Sequence, residues 1–140
     1  MEPEQLAGYW ILEQRNETLD ENDEEYEIVI HDKKYTITEP VIEVLFFKVN
    51  TNKCIQMGLE LLPEDEREDF DYETSSYFPG TYDIQNQTIK IMNQGNMTIY
   101  NGKLIIKENS KDYSCLEIWS RLSDEHQKLI QLLDFELKNF

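Results

Sequence analysis

Apolar and polar positions alternate along most of this chain, and a period of two is the signature of half-buried strands. Tyr26, Ile28 and Ile30 alternate with Glu27, Val29 and His31. Asp32-Lys33-Lys34 reads as a tight reversal, from which Tyr35-Thr36-Ile37-Thr38 returns. After Pro40, residues 41–49 form the most apolar run of the chain, and the turn cluster 50–53 leads into 54–62, with Ile55, Met57, Leu59 and Leu61 on one face. Residues 63–76 break the regularity as an acidic loop. Strands then follow densely: 80–84, 88–92, 97–100, 103–107 and 113–119, with turns at 85–87, 93–96 and Asn101-Gly102. Asn-Gly between alternating runs is the strongest short hairpin signal, because both central residues of a type I′ turn need positive φ.

Short strands joined by tight turns predict an antiparallel up-and-down sheet, and roughly eight to ten such strands avoid exposed edges by closing into a barrel. Residues 2–6 predict one helical turn, since proline is tolerated at a first helical position. The tail changes period. In residues 123–140, Leu129, Ile130, Leu133, Leu137 and Phe140 recur at helical spacing, with Ser123 as N-cap and Asp124 and Glu125 suiting the positive end of the dipole. A helix packed outside the barrel explains why 41–49 is apolar on both faces. The expected organisation is one domain, with a barrel over 1–122 and the packed helix over 123–140.

Composition adds one departure from the ordinary. The 140 residues carry 29 Asp plus Glu against 13 Lys plus Arg, a formal net charge of -16. Such a surface repels nucleic acid and anionic membranes and attracts basic proteins. The first residues lack the basic and apolar regions of a secretory signal, and no apolar run is long enough to span a bilayer. Cys54 and Cys115 have no spacing partner, so free thiols in a reducing cytoplasm are expected. The sequons at Asn16, Asn86 and Asn96 then carry no glycan.

Leu6-Ala7-Gly8-Tyr9-Trp10 at the first strand and Trp119-Ser120-Arg121-Leu122 at the last resemble the lipocalin-like (calycin) barrels, specifically their small bacterial members. Gly80-Thr81-Tyr82-Asp83-Ile84 and Thr88-Ile89-Lys90-Ile91 are similar to the central hairpins of those domains. The resemblance implies an all-β barrel in which Trp10 plugs the closed end and Arg121 lies across its ring, a contact worth about 0.5–2 kcal/mol.

Chemistry is sparse by comparison. His31 and His126 stand apart without metal-ligand spacing, and no phosphate loop, nucleophile elbow or Cys/His pair occurs. Asp69-x-Asp71-x-Glu73 begins like a calcium loop but lacks the glycine at its sixth position and the glutamate at its twelfth. No catalytic residue, metal or cofactor is expected. Two acidic clusters remain: Glu17, Asp20, Glu21, Asp23, Glu24 and Glu25, and the run Glu64 to Glu73, relieved only by Arg67. The first functional expectation is therefore a non-catalytic acidic binding protein of immunity or inhibitor type, or a nucleic-acid mimic. It docks a basic protein through Glu64, Asp65, Glu66, Glu68, Asp69 and Asp71, with Phe70 and Tyr72 as anchors. The alternative is a carrier of a small apolar ligand. Its cavity is expected to be lined by Ile28, Ile30, Ile42, Val44, Phe46, Met57, Tyr82, Ile89, Ile91, Ile99, Leu104 and Ile106.

Overall fold

Among the described residues the alternating segments form nine antiparallel strands: β1 (Gly8–Asp20), β2 (Ile28–Lys34), β3 (Val41–Phe47), β4 (Lys53–Leu61), β5 (Tyr72–Asp83), β6 (Thr88–Ile91), β7 (Asn93–Tyr100), β8 (Lys103–Asn109) and β9 (Tyr113–Arg121). The computed structural model describes the backbone of residues 1–20, 28–34, 40–110 and 113–140, and the side chains of 1–17, 40–110 and 113–140. β1 and β3 to β9 make a closed eight-stranded barrel, sealed where β1 pairs with β9. β2 lies beside the later half of β1, so one edge of β1 meets β3 over Gly8–Ile11 and β2 over Gln14–Asp20. Two short 3-10 turns, Glu64–Glu66 and Asp124–His126, and two helices, α1 (Pro3–Leu6) and α2 (Gln127–Glu136), complete the described elements.

Several boundaries differ from the sequence reading, each for a physical reason. β2 continues through the expected reversal at 32–34, paired with Gln14 to Asn16 of β1; residues 35–39 lie outside the described residues. β5 starts at Tyr72, well before Gly80. Its first half, Glu73-Thr74-Ser75-Ser76, has no apolar alternation: the register with β4 shifts between Gly58 and Leu59, and there the Ser76 hydroxyl accepts from Gly58 N while the Ser75 hydroxyl donates to the Gly58 carbonyl. The expected turn at 93–96 is strand, and the reversal sits at Met92, with φ of 66°. Gly95 falls inside β7 because a Cβ there meets the Lys107 carbonyl and Glu108 Cγ, both at 3.1 Å. Asn101 and Gly102 both have positive φ, 52° and 75°, as the type I′ hairpin requires.

Two apolar cores result, one on each face of the sheet. Inside the barrel lie Trp10, Leu12, Leu45, Phe47, Cys54, Tyr82, Ile89, Met97, Leu104, Ile106 and Trp119. Leu6 of α1 joins them from below, and its carbonyl accepts a 3.0 Å hydrogen bond from Trp10 Nε1. The Arg121 guanidinium lies 4.3 Å from the Trp10 ring centroid and donates to the carbonyls of Gln5 and Ala7. Gly8 is needed here. Its φ is +103°, and an added Cβ stands 3.0 Å from Arg121 Nη1.

The second core lies outside, between α2 and the outer face of β3 and β4. Leu129, Leu132 and Leu133 cover Ile42, Val44, Ile55, Met57 and Leu59. Both faces of β3 are thus buried, one by the barrel interior and one by the helix. Three side-chain contacts fix α2: Tyr9 Oη to Asp134 at 2.5 Å, Tyr77 Oη to Glu136 at 2.6 Å, and Lys128 to Asp71 at 3.0 Å. Leu133 is fully buried, whereas Phe135 is 58% exposed on the same helix. Leu133→Ala is expected to cost about 2–5 kcal/mol in denaturant unfolding, and Phe135→Ala within about 0.5 kcal/mol of nothing.

Candidate functional site

A β-bulge in β1 decides what the barrel's open end contains. Leu12 pairs with Trp119 and Gln14 with Ile118, so Glu13 is the extra residue. Before the bulge the even positions Trp10 and Leu12 point inward. After it the odd positions Arg15 and Glu17 do, and Arg15 faces Glu117 across the ladder. Glu13 is turned to the outer surface, where it binds Lys103 at 2.8 Å and the Ser120 hydroxyl.

Arg15 is the centre of the site. Its Nη1 and Nη2 donate to the two carboxylate oxygens of Glu43 at 2.7 and 3.0 Å, and Nε donates to Glu117 at 2.7 Å. Glu17 stands 3.7 Å away. Gln56 donates to Glu43 at 2.8 Å, and Tyr113 Oη reaches Glu17 at 3.5 Å. Glu108 joins these groups without an ion-pair partner among the described residues. One guanidinium therefore faces four carboxylates across a cavity of about 280 Å³. Its other wall is apolar: Phe78, Ile89, Ile91, Met92 and Ile106. Met92, 77% exposed, and Phe78, 41% exposed, form a lip over it.

Burial and crowding set the protonation of this cluster. Burial works against the Arg15 charge, but its bonds to Glu43 and the charges of Glu117 and Glu43 hold it protonated more firmly than a free guanidinium. Burial pushes the Glu117 carboxyl above the ordinary range despite Arg15 beside it. Glu108 is raised by burial first and then by the charge of Glu117, with Glu17 adding to it. Cys115, in the same wall, is raised to about 11 by burial, and Cys54, deeper in the apolar core, to about 12. Both thiols are free and protonated at neutral pH.

The expected cavity residues divide between the two cores. Tyr82, Ile89, Leu104 and Ile106 belong to the inner core, with Ile91 and Ile99 packed against it. Ile42, Val44 and Met57 instead lie beneath α2, and Phe46 packs there against Tyr9 and Phe140. The cause is parity: with both faces of β3 apolar, alternation does not say which face the helix takes. The side chains of Ile28 and Ile30 lie outside the described residues. The polar residues of the mouth were missed because an isolated Arg or Glu in a strand reads as solvent-facing. The signal was the break in alternation at Leu12-Glu13-Gln14-Arg15.

The expected docking loop is also reshaped. Glu64, Asp65, Glu66, Glu68 and Asp69 are exposed, and Asp71 pairs with Lys128. Tyr72 is 6% exposed and part of the outer core, and Phe70 packs against that core. Neither ring protrudes as an anchor, because the loop folds back onto α2. Of the first acidic cluster, Glu17 lines the mouth; the side chains of Asp20, Glu21, Asp23, Glu24 and Glu25 lie outside the described residues. His126 sits at the start of α2, and the His31 side chain is likewise outside the described residues. Among the described residues no group of His, Cys, Asp or Glu is placed to hold a metal ion, and no helix is long and apolar enough to cross a membrane. Comparison with protein-family models, curated proteins and solved structures finds no match to this chain.

The electrostatics make two stability predictions. Arg15→Met leaves the mouth carboxylates uncompensated and is expected to cost about 3–5 kcal/mol at neutral pH. Much of that loss returns on acidification, as the carboxyls protonate. For Glu108, the folded pKa is raised, so its contribution favours the folded state below the ordinary carboxyl value of about 4.3 and is lost as pH rises through the folded value. Glu108→Gln is therefore expected to raise the melting temperature at pH 7 and to leave it unchanged near pH 4. Thermal melts of the three proteins across this range check both.

Proposed function

We propose that this protein is a non-catalytic binding protein of immunity or inhibitor type, and that it engages a basic protein at the open end of its barrel. The observation that carries this reading is the convergence of carboxylates there. Glu17, Glu43, Glu108 and Glu117 surround a single guanidinium already bound by two of them, so the mouth keeps an excess of negative charge. The exposed Glu64, Asp65, Glu66, Glu68 and Asp69 follow the open-end terminus of β4. Lys48, Lys53, Lys103 and Arg121 lie toward the opposite end, just past β3 and at the closed-end termini of β4, β8 and β9. A basic partner approaching such a molecule is steered to the carboxylate end. There a lysine or arginine side chain fits the mouth: its charge meets Glu17 and Glu108, and its stem lies against Phe78 and Met92.

The apolar-carrier reading fares worse. The closed half of the interior is filled by Trp10, Trp119, Phe47 and their neighbours, and the remaining cavity buries carboxylates that an apolar ligand would leave unsolvated. We read the chain as a lipocalin-like barrel that has given its mouth to a cation, and the free buried cysteines support a reducing, cytoplasmic setting. Burial, which holds both thiols protonated, argues against either cysteine as a nucleophile.

Calorimetric titration tests the proposal with pentalysine, pentaglutamate and a medium-chain fatty acid as probes. Pentalysine is expected to bind, and to weaken steeply as salt rises. The double variant Glu17→Gln and Glu108→Gln is expected to weaken it by about tenfold or more, the loss of roughly 1.4 kcal/mol. Tight fatty-acid binding with no response to pentalysine overturns the reading in favour of the carrier.

A further inference from the structure

The loop that follows β4 does more than present charge. Its base is closed by Leu62 N donating to the Asp71 carbonyl at 2.8 Å, and Arg67 Nε folds back onto the Leu62 carbonyl at 2.7 Å. Held this way against α2, the loop leaves a groove of about 330 Å³ between itself and the helix. The floor is apolar, made by Phe70, Tyr72 and Leu132, and the 58%-exposed ring of Phe135 forms one side. Around it stand Glu66, Glu68, Asp69, Glu73 and Glu136. Among the described residues no lysine, arginine or histidine lines this groove. A second, smaller cavity of about 140 Å³ continues past Phe70 toward Leu129.

We propose that this groove is a socket for a basic protein segment that presents an apolar side chain between lysines or arginines. The inference rests on the reading of the protein as a binder of a basic partner, and it reverses the roles first expected of the loop: the partner supplies the anchor and this chain supplies the pocket. Charge complementarity selects the occupant. Five carboxylates around an apolar floor favour cations flanking a hydrophobic group, and an anionic or neutral apolar segment leaves them unpaired. A second copy of this chain is opposed by its own net charge of -16. The volume lies in the range of formed binding pockets, about 300–1,000 Å³, which suits one large side chain rather than a whole helix.

The test uses the full chain, isotope-labelled for amide resonance mapping, and two hexapeptides. One has Leu-Trp between two Lys-Lys pairs; the control has Ser-Gly in place of Leu-Trp. The apolar peptide is expected to shift amides within 66–73 and 132–136 and to bind about ten- to a hundredfold tighter than the control, as burial of a large apolar side chain implies. Phe135→Ser, at an exposed position, is expected to keep the melting temperature and remove most of that difference. Reversing Glu68 and Asp69 to Lys is expected to weaken both peptides. Equal affinity for the two peptides, or shifts confined to the barrel mouth, overturns the socket and leaves the basic-partner reading standing. No shift with either peptide at low salt overturns both.

Discussion

The extra residue in β1 is the constraint on which the open half of this barrel depends. One residue of slip moves every following side chain of a strand to the opposite face. With Glu13 bulged out, Arg15 and Glu17 enter the barrel, and Gln14 and Asn16 face away from it. Without the bulge, the even positions would stay inward and the guanidinium would lie in solvent. The same point in β1 is where its other edge leaves β3 and takes up β2. Bulges bend and twist a strand locally, and here the bend opens the interior just as β3 diverges. Arg15 spans that divergence, bonded to Glu43 on β3 and Glu117 on β9. Three strands are tied at their point of separation by one side chain.

A buried ion cluster is a poor source of net stability, since desolvating the charges offsets much of their attraction. Its value lies in determining which arrangement forms. The apolar closed half supplies the stability: two tryptophans, Phe47 and Leu12 fill it, and α1 with Arg121 caps it. Because that half is filled and the outer face of β3 and β4 is sealed by α2, the open half is released from a packing role. It can hold carboxylates at a cost the rest of the fold carries.

How much of this was legible follows from the physics of each element. The barrel was readable, since tight turns such as Asn101-Gly102 and regular apolar alternation are local signals; its closed end, with Trp10 under Arg121, was what the resemblance to lipocalin-like barrels implied. The C-terminal helix was readable by its period, and the doubly apolar β3 pointed to what it covers. The mouth was not. Interior carboxylates look like solvent-facing ones in a chain this acidic, and the bulge that buries them is a property of pairing between β1 and β9, more than a hundred positions apart in sequence. The first half of β5 was hidden too: Glu73-Thr74-Ser75-Ser76 is polar throughout, and its pairing with Gly58 across a shifted register leaves no local signal. The acidic loop was recognised, but the role of Phe70 and Tyr72 depends on α2 folding over them from the far end of the chain.

Several local rules fail at the open end, and that coincidence has physical meaning. At the closed end, alternation and packing agree. At the open end a raised Glu117 and a raised Glu108 line the same cavity, Met92 takes a backbone conformation unusual for a non-glycine residue, and Phe78 stays exposed. Sequences depart from consistency where a site needs it and compensate elsewhere. A cation entering the mouth relieves the repulsion among the carboxylates, while its hydrocarbon stem covers the apolar lip. The groove beside α2 has the complementary arrangement, an apolar floor beneath a carboxylate rim. In the proposed reading, a basic segment with one apolar side chain offers cations to such carboxylates and an anchor to the floor between loop and helix.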